Sequence, residues 1–183
     1  MITKNVALIV GSLRKDSWNR KLALELKRLA PDTLRMEIVE IGDMPLYNSD
    51  LDEPAIVPES WATFRSAMKQ KDAVIFLTPE YNRGVPAVLK NAIDVGSRPY
   101  GQSIWDKKPG AVISTTPGGL GAYGANHILR QSMVFLNVAM MQQPEMYISK
   151  IDTLFGDDGQ LVKSSEPYIS SFLQAFDDWA KHF

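Results

Sequence analysis

Along this chain, short unbroken apolar runs take turns with stretches in which apolar residues recur every three or four positions. The runs Val6–Val10, Ala73–Leu77 and Ala111–Ile113 do not alternate with polar residues. Strands read this way when both faces of a parallel sheet are covered. A second strand is predicted over Arg35–Glu40, with Met36, Ile38 and Ile41 facing one way, and a weaker fifth near Val138–Ile148. Helices are predicted in the gaps. Leu22, Leu26 and Leu29 share a face, and Pro31 ends that run. Trp61, Phe64 and Met68 repeat the pattern after Pro58, and Ala87–Val95 follows a Gly-Val-Pro turn. Leu129, Met133, Leu136 and Met140 form a fourth stripe; Ile169, Phe172, Leu173, Phe176 and Ala180 form the last.

The order is therefore β-α repeated about five times, which predicts an α/β fold with a parallel sheet, helices on both faces and right-handed crossovers. No linker, repeat or low-complexity stretch divides residues 1–183, so one domain is expected. Two arrangements fit: a dinucleotide-type sheet, or a flavodoxin-like three-layer sandwich with strand order 2-1-3-4-5. Both place ligands at the carboxyl ends of the strands near a topological switch point. The loops after the first, third and fourth strands are the ones to read for chemistry.

Composition narrows the chemistry. The chain of 183 residues carries a net charge of −1, so no basic excess points to nucleic acid or an anionic membrane. It has no cysteine and two histidines, His127 and His182. That excludes disulfides, iron–sulfur clusters and a thiol nucleophile, and leaves no basis for a polyhistidine zinc site. Redox chemistry would need an organic cofactor. No apolar run approaches membrane-spanning length, and the N-terminal run is too short for a signal peptide, so a cytoplasmic protein is expected.

The first loop reads GSLRKDSWN and opens a helix, with Ser17 as its N-cap. Free N–H groups and the positive end of the helix dipole make such a place an anion site. Ser12, Ser17 and Asn19 add neutral donors and Arg14 a charged fork, a set that suits a phosphate monoester. The Walker ending and the dinucleotide glycines are both missing. An ordinary β-to-α turn with a capping serine is the plainer alternative. The second loop lies in TPEYNRGVPAVLKNAID, residues 78–94, where Pro79 and Pro86 stiffen it and Gly84 permits a positive φ. With Tyr81 and exposed amides it suits the edge of a planar heterocycle, or is simply a rigid surface loop. Glu80 has no partner carboxylate beside it and is given no acid–base role. The third loop, STTPGGLGAYGANHILRQ, holds Gly118, Gly119, Gly121 and Gly124, which let a backbone approach a ligand, or make a flexible turn. His127 reads as an exposed or interfacial histidine, and the Met-rich run VAMMQQPEM as core or subunit interface.

Taken together, GSLRKDSWN and TPEYNRGVPAVLKNAID resemble the NADPH-dependent FMN reductase family, closest to its bacterial quinone and chromate reductase branch. The likeness runs from about Ile9 to Tyr147 and includes MPLYNSDL, GSRPYGQ, LRQSMVFLN and QQPEMY. The resemblance implies a flavodoxin-like fold and bound FMN. Ser12, Arg14, Ser17 and Asn19 would hold its phosphate; Pro79, Glu80, Tyr81 and Asn82 would border its ring. Thr115, Thr116, Gly118 and Gly119 would lie near the ribityl chain or ring. Relatives are usually homodimers or homotetramers, and Arg130 and Glu145 fall in segments that contribute to subunit contacts there. Arg83 stands where relatives often have tyrosine or histidine. Beside Tyr81 it would meet the phosphates of NAD(P)H or an anionic acceptor, or pair across a dimer interface. Val95, often tryptophan in relatives, alters only packing.

The implied activity is ping-pong transfer of electrons from NADPH or NADH through FMN to quinones, flavins or metal oxyanions such as chromate, with no side-chain catalyst. A flavodoxin-type electron carrier without NAD(P)H oxidation is the alternative. Such carriers are usually strongly acidic, whereas this chain is nearly neutral. A flavin-free nucleotide-binding regulator and an NAD(P)-dependent dehydrogenase are further rivals, the last disfavoured by the missing glycine fingerprint.

Overall fold

A computed structural model of the protein describes residues 3–183. The strands β1 (Lys4–Val10), β2 (Leu34–Ile38), β3 (Ala73–Thr78) and β4 (Pro109–Thr115) are joined through helices α1 (Trp18–Leu29), α2 (Glu59–Lys69) and α3 (Ala87–Gly96). Helix α4 (Tyr123–Phe135), two short strands β5 (Ala139–Met140) and β6 (Met146–Ile148), and α5 (Glu166–Ala180) complete the chain. All pairings are parallel, and the sheet runs β2-β1-β3-β4-β5 with β6 also on β4. This is the flavodoxin-like order; the dinucleotide-type sheet is set aside.

Alternate residues of each central strand feed two cores. Val6, Leu8 and Val10 join Ile75, Leu77, Ile113 and the inner faces of α1 and α5. Ala7, Ile9, Val74, Phe76 and Val112 pack under α2, α3 and α4, around Trp61 and Trp105. Burial on both sides is the reason these strands show no polar alternation.

Three expectations change. The second strand begins at Leu34 and ends at Ile38. Met36 and Ile38 pack on the α1 side, whereas Ile41 packs with Val39 on the other. Once the chain leaves the ladder after Ile38, strand alternation no longer applies. The fifth strand is split: β5 pairs with Pro109 and Gly110, while β6 pairs with Ile113–Thr115. Finally, the fourth helical stripe stops short of Met140, which lies in β5. Asn137 is left-handed (φ 56°), Val138 N–H donates to Met133 O at 3.0 Å and Asn137 N–H to Val134 O at 3.2 Å. That pairing is a Schellman motif, which an asparagine just past the cap can adopt. The Met-rich run is core where Met141 and Met146 are buried.

Candidate functional site

The first loop is held open by its own helix cap. Ser17 has extended backbone, and its Oγ accepts the Arg20 N–H at 3.3 Å. Trp18 and Asn19 follow in the first turn, where N–H groups have no partner within the helix. Arg14 is exposed and donates to Asp16 O at 2.8 Å. Among the described residues it forms no ion pair.

The second loop is a tight hairpin. Tyr81 N–H donates to Gly84 O at 3.1 Å and Gly84 N–H to Tyr81 O at 2.8 Å. The positive φ values fall on Asn82 (50°) and Arg83 (64°), which makes the turn type I′. Gly84, expected to carry the positive φ, is not among the left-handed residues. The two central positions of the turn take the strain instead, and asparagine tolerates it better than arginine. The Glu80 carboxylate bridges this loop to α4: Oε2 accepts Ala125 N–H at 3.1 Å, and Oε1 accepts from Arg83 Nη1 at 3.1 Å.

The third loop is fastened to the end of β6 and the residues that follow it. Thr116 N–H donates to Ile148 O at 3.0 Å, Lys150 N–H to Gly118 O at 3.0 Å, and Ser149 Oγ to Gly119 O at 2.9 Å. Gly121 is left-handed (φ 58°), and a Cβ there would lie 2.8 Å from the Tyr147 backbone. A Cβ on Gly124 would lie 2.9 Å from Glu80 Oε2. These two glycines serve close packing within the protein rather than approach to a ligand. His127 is exposed, and its Nε2 lies 3.0 Å from Tyr147 Oη, which donates to Glu145 Oε1 at 2.8 Å. Burial and that carboxylate push the Tyr147 hydroxyl up to about 12.

The loops converge on one cleft of about 260 Å³. Its lining contains Ser12, Arg14, Ser17 and Asn19 from the first loop, Pro79, Glu80 and Tyr81 from the second, and Thr115 and Thr116 from the third. Asn82, Arg83, Gly118 and Gly119 fall outside it, on the exposed turn and just past Pro117. Trp18 and Pro117 line the cleft without having been picked out as site residues. Trp18 offered a signal, an aromatic at the first helical position; nothing in the sequence tied residues 148–151 to the glycine loop. A wider groove of about 550 Å³ lies between β2 and α2, away from the loops. Its Glu37 and Glu40 are already paired, with Lys71 and Arg20.

Among the described residues, three buried side-chain atoms find no hydrogen-bond partner: Asn19 Oδ1, Thr115 Oγ1 and Thr33 Oγ1. Two of the three belong to the cleft lining; Thr33 lies before β2, at the opposite edge of the sheet. An unpaired buried polar group costs about 1–3 kcal/mol. A polar ligand that reaches Asn19 and Thr115 would relieve that cost. A hydroxyl without a partner, an arginine in no ion pair and a helix N-terminus in one cleft fit a phosphate, and the free Asn19 Oδ1 fits a donor elsewhere on a polar ligand.

A parallel 2-1-3-4-5 sheet flanked by helices, with a cleft spanning the loops after β1, β3 and β4, defines a flavodoxin-like protein. Residues 4–153 match the family model described as NADPH-dependent FMN reductase, and the chain belongs to that family. A quinone reductase of Pseudomonas putida is 54% identical over 177 residues, covering 97% of this chain and 95% of that protein. A 2-hydroxy-1,4-benzoquinone reductase of Burkholderia sp. is 40% identical over 177 residues, covering 96% of each. Among solved structures, the flavoenzyme NAD(P)H:(acceptor) oxidoreductase FerB of Paracoccus denitrificans superposes with a TM-score of 0.91 at 42% identity, covering 98% of both chains. The chain is an enzyme of this oxidoreductase family. Among the described residues, no helix is long and apolar enough to cross a membrane.

Proposed function

We propose that this chain binds FMN in the cleft and passes electrons from NADPH or NADH to quinones, with free flavins and oxyanions such as chromate as further acceptors. The observation that carries this reading is the cleft's polar set: the buried Asn19 Oδ1 and Thr115 Oγ1 without partners among the described residues, Arg14 in no ion pair, and the α1 N-terminus, all opening on one space. When bound, FMN supplies the centre that takes up hydride from the nicotinamide and gives it to the acceptor. The protein's work is to hold and orient. The first turn of α1, with Ser12, Ser17 and Asn19, holds the phosphate, and Arg14 supplies the charged donor. Pro79 and Tyr81 border the ring, and Thr115 and Thr116 meet the ribityl side. Arg83, exposed beside Tyr81, offers charge to the phosphates of NAD(P)H. No side-chain acid or base is assigned. Donor and acceptor take turns at the same open side of the cleft, which is the basis for ping-pong kinetics. A homodimer or homotetramer in the cytoplasm completes the proposal. Phe135 and Tyr100, 82% and 91% exposed on one surface, supply apolar area for a second copy.

The test is anaerobic mixing of the FMN-loaded protein with NADH or NADPH, followed by a quinone. Bleaching of the blue absorption, its return with quinone, and parallel double-reciprocal plots are expected. A protein that takes up FMN but is never bleached by either nicotinamide is a carrier, not a reductase. A colourless protein that gives no binding signal with added FMN overturns the cofactor reading itself.

Arg14→Ala tests the phosphate loop. Losing one charged hydrogen bond is expected to weaken FMN by about 1.5–3 kcal/mol, roughly 10- to 150-fold in Kd. Titration of apoprotein by flavin fluorescence quenching measures it, and wild-type affinity would remove Arg14 from the site.

A further inference from the structure

We propose that Glu80 is a positioning residue, whose carboxylate clasps the first turn of α4 and so sets the spacing between the Tyr81 hairpin and the glycine loop. The observation behind it is a helix start that lacks a cap of its own. Ala122 precedes α4 in the left-handed region (φ 55°) and no side chain there caps the helix. The first-turn N–H groups of a helix need acceptors from elsewhere. Glu80, from the loop after β3, supplies one: Oε2 takes the Ala125 N–H at 3.1 Å. A carboxylate at this end also meets the positive pole of the helix dipole. Its other oxygen takes Arg83 Nη1 at 3.1 Å, so one side chain ties the turn carrying Tyr81 to the helix that follows the glycine loop. The Glu80 side chain is only 11% exposed, so it has little freedom to let go.

Gly124 is the counterpart. Glycine is disfavoured inside helices, yet it occupies the first turn of α4. A Cβ at that position would stand 2.9 Å from Glu80 Oε2 and 3.1 Å from Arg83 O. The missing side chain is the space the clasp occupies. Glu80 thereby ties the loop carrying Tyr81 to α4, the helix that the chain enters after Thr115–Pro117 and the glycines, while β3–β4 pairing holds the roots of both loops. The expected result is that Glu80 acts on the flavin through this spacing rather than through its charge.

The inference rests on the FMN reading, and its experiment separates the two. Glu80→Ala, Glu80→Gln and Gly124→Ala are compared with the wild-type protein. Three quantities are measured: FMN affinity of the apoprotein, hydrogen exchange of the Ala125 amide, and kcat and KM with NAD(P)H. Glu80→Ala is expected to weaken FMN at least tenfold, speed Ala125 exchange at least tenfold, and lower kcat more than it raises KM. Glutamine keeps an acceptor for the Ala125 N–H, so Glu80→Gln should hold FMN within threefold of wild type. Gly124→Ala should copy the alanine variant while helix content by circular dichroism stays unchanged. Wild-type affinity and exchange in Glu80→Ala overturn the proposal. So does a glutamine variant as impaired as the alanine one, which would assign the effect to charge. If the wild-type protein takes up no FMN, the cofactor reading fails, while Ala125 exchange still decides the clasp.

Discussion

Replacing Asp52 with alanine is expected to destabilise the protein by about 2–4 kcal/mol, lowering the unfolding midpoint by roughly 5–15 °C for a chain of this size. Asp52 lies in the loop between β2 and α2 and forms a bidentate pair with Arg65 of α2, at 2.7 and 2.8 Å. Their side chains are 7% and 11% exposed, so this is a pair inside the protein rather than on it. The pair itself contributes modestly, because desolvation offsets most of its attraction. Losing one partner is different, since a buried guanidinium is left with only part of its hydrogen bonding. Arg65 would keep its bond to Val95 O at 2.9 Å and its position over the Trp61 ring. A paired change, Asp52→Leu with Arg65→Met, should recover most of the loss. Urea unfolding at neutral pH measures all three proteins, and an alanine variant as stable as wild type would place the pair outside the protein's support.

The same pair gives a pH dependence with a definite sign. Hydrogen bonds from Arg65 hold the Asp52 carboxyl below its ordinary value, and burial opposes them more weakly. A group whose folded value is depressed contributes stability that is fully present above its unfolded pKa, about 3.9. That stability is lost as pH falls from there through the lower folded value. The stability of the wild type relative to the Asp52→Leu, Arg65→Met double variant should therefore stay level above about pH 4 and fall only below it. A fall between pH 6 and 8 instead would assign the pH dependence to another group.

Gly121→Ala is the second large effect. A left-handed residue other than glycine costs about 1–2 kcal/mol, and overpacking against fixed neighbours adds about 1–3 kcal/mol. Here the neighbour is backbone: the new Cβ would lie 2.8 Å from the Tyr147 carbonyl carbon and 2.9 Å from its oxygen. The loop cannot swing away cheaply, because Ser114 Oγ donates to Gly121 O at 2.6 Å deep in the protein. Asn126 Nδ2 in turn donates to Ser114 Oγ at 3.0 Å, which locks α4 to the same point. The expected total is about 2–5 kcal/mol. FMN affinity should fall with it, since Thr115 and Thr116 sit at the root of this loop. Thermal unfolding and FMN titration read both consequences, and a variant with unchanged midpoint would show that the loop relaxes freely.

Much of this was readable from residue order. Unbroken apolar runs marked β1, β3 and β4 because each is buried from both sides. Ser17 announced the start of α1, and its place after an apolar run put a helix N-terminus at a strand end. That combination marked the loop that lines the cleft beside α1. Short-range physics governs these features: solvent exclusion along a strand, a side-chain oxygen reaching an N–H three residues on. Asn137 also carried its signal, since asparagine is a common left-handed terminator, but the apolar stripe through Met140 outweighed it.

Other features depend on residues far apart in the chain. The family resemblance implied Glu80 at the border of the ring, yet its carboxylate accepts from the amide of Ala125, 45 residues on. The four glycines looked alike in the sequence. Only the approach of Tyr147 and Glu80 separates the two that are packed from the two that are open. The split fifth strand, the anchoring of Gly118 and Gly119 by Ser149 and Lys150, and the unpaired state of Asn19 and Thr115 are likewise set by three-dimensional proximity. Local sequence dictated where the chain turns strand, loop or helix, because those choices are made within a few bonds. Which polar atoms find partners, and which are left without one, was decided only when distant segments closed around the cleft.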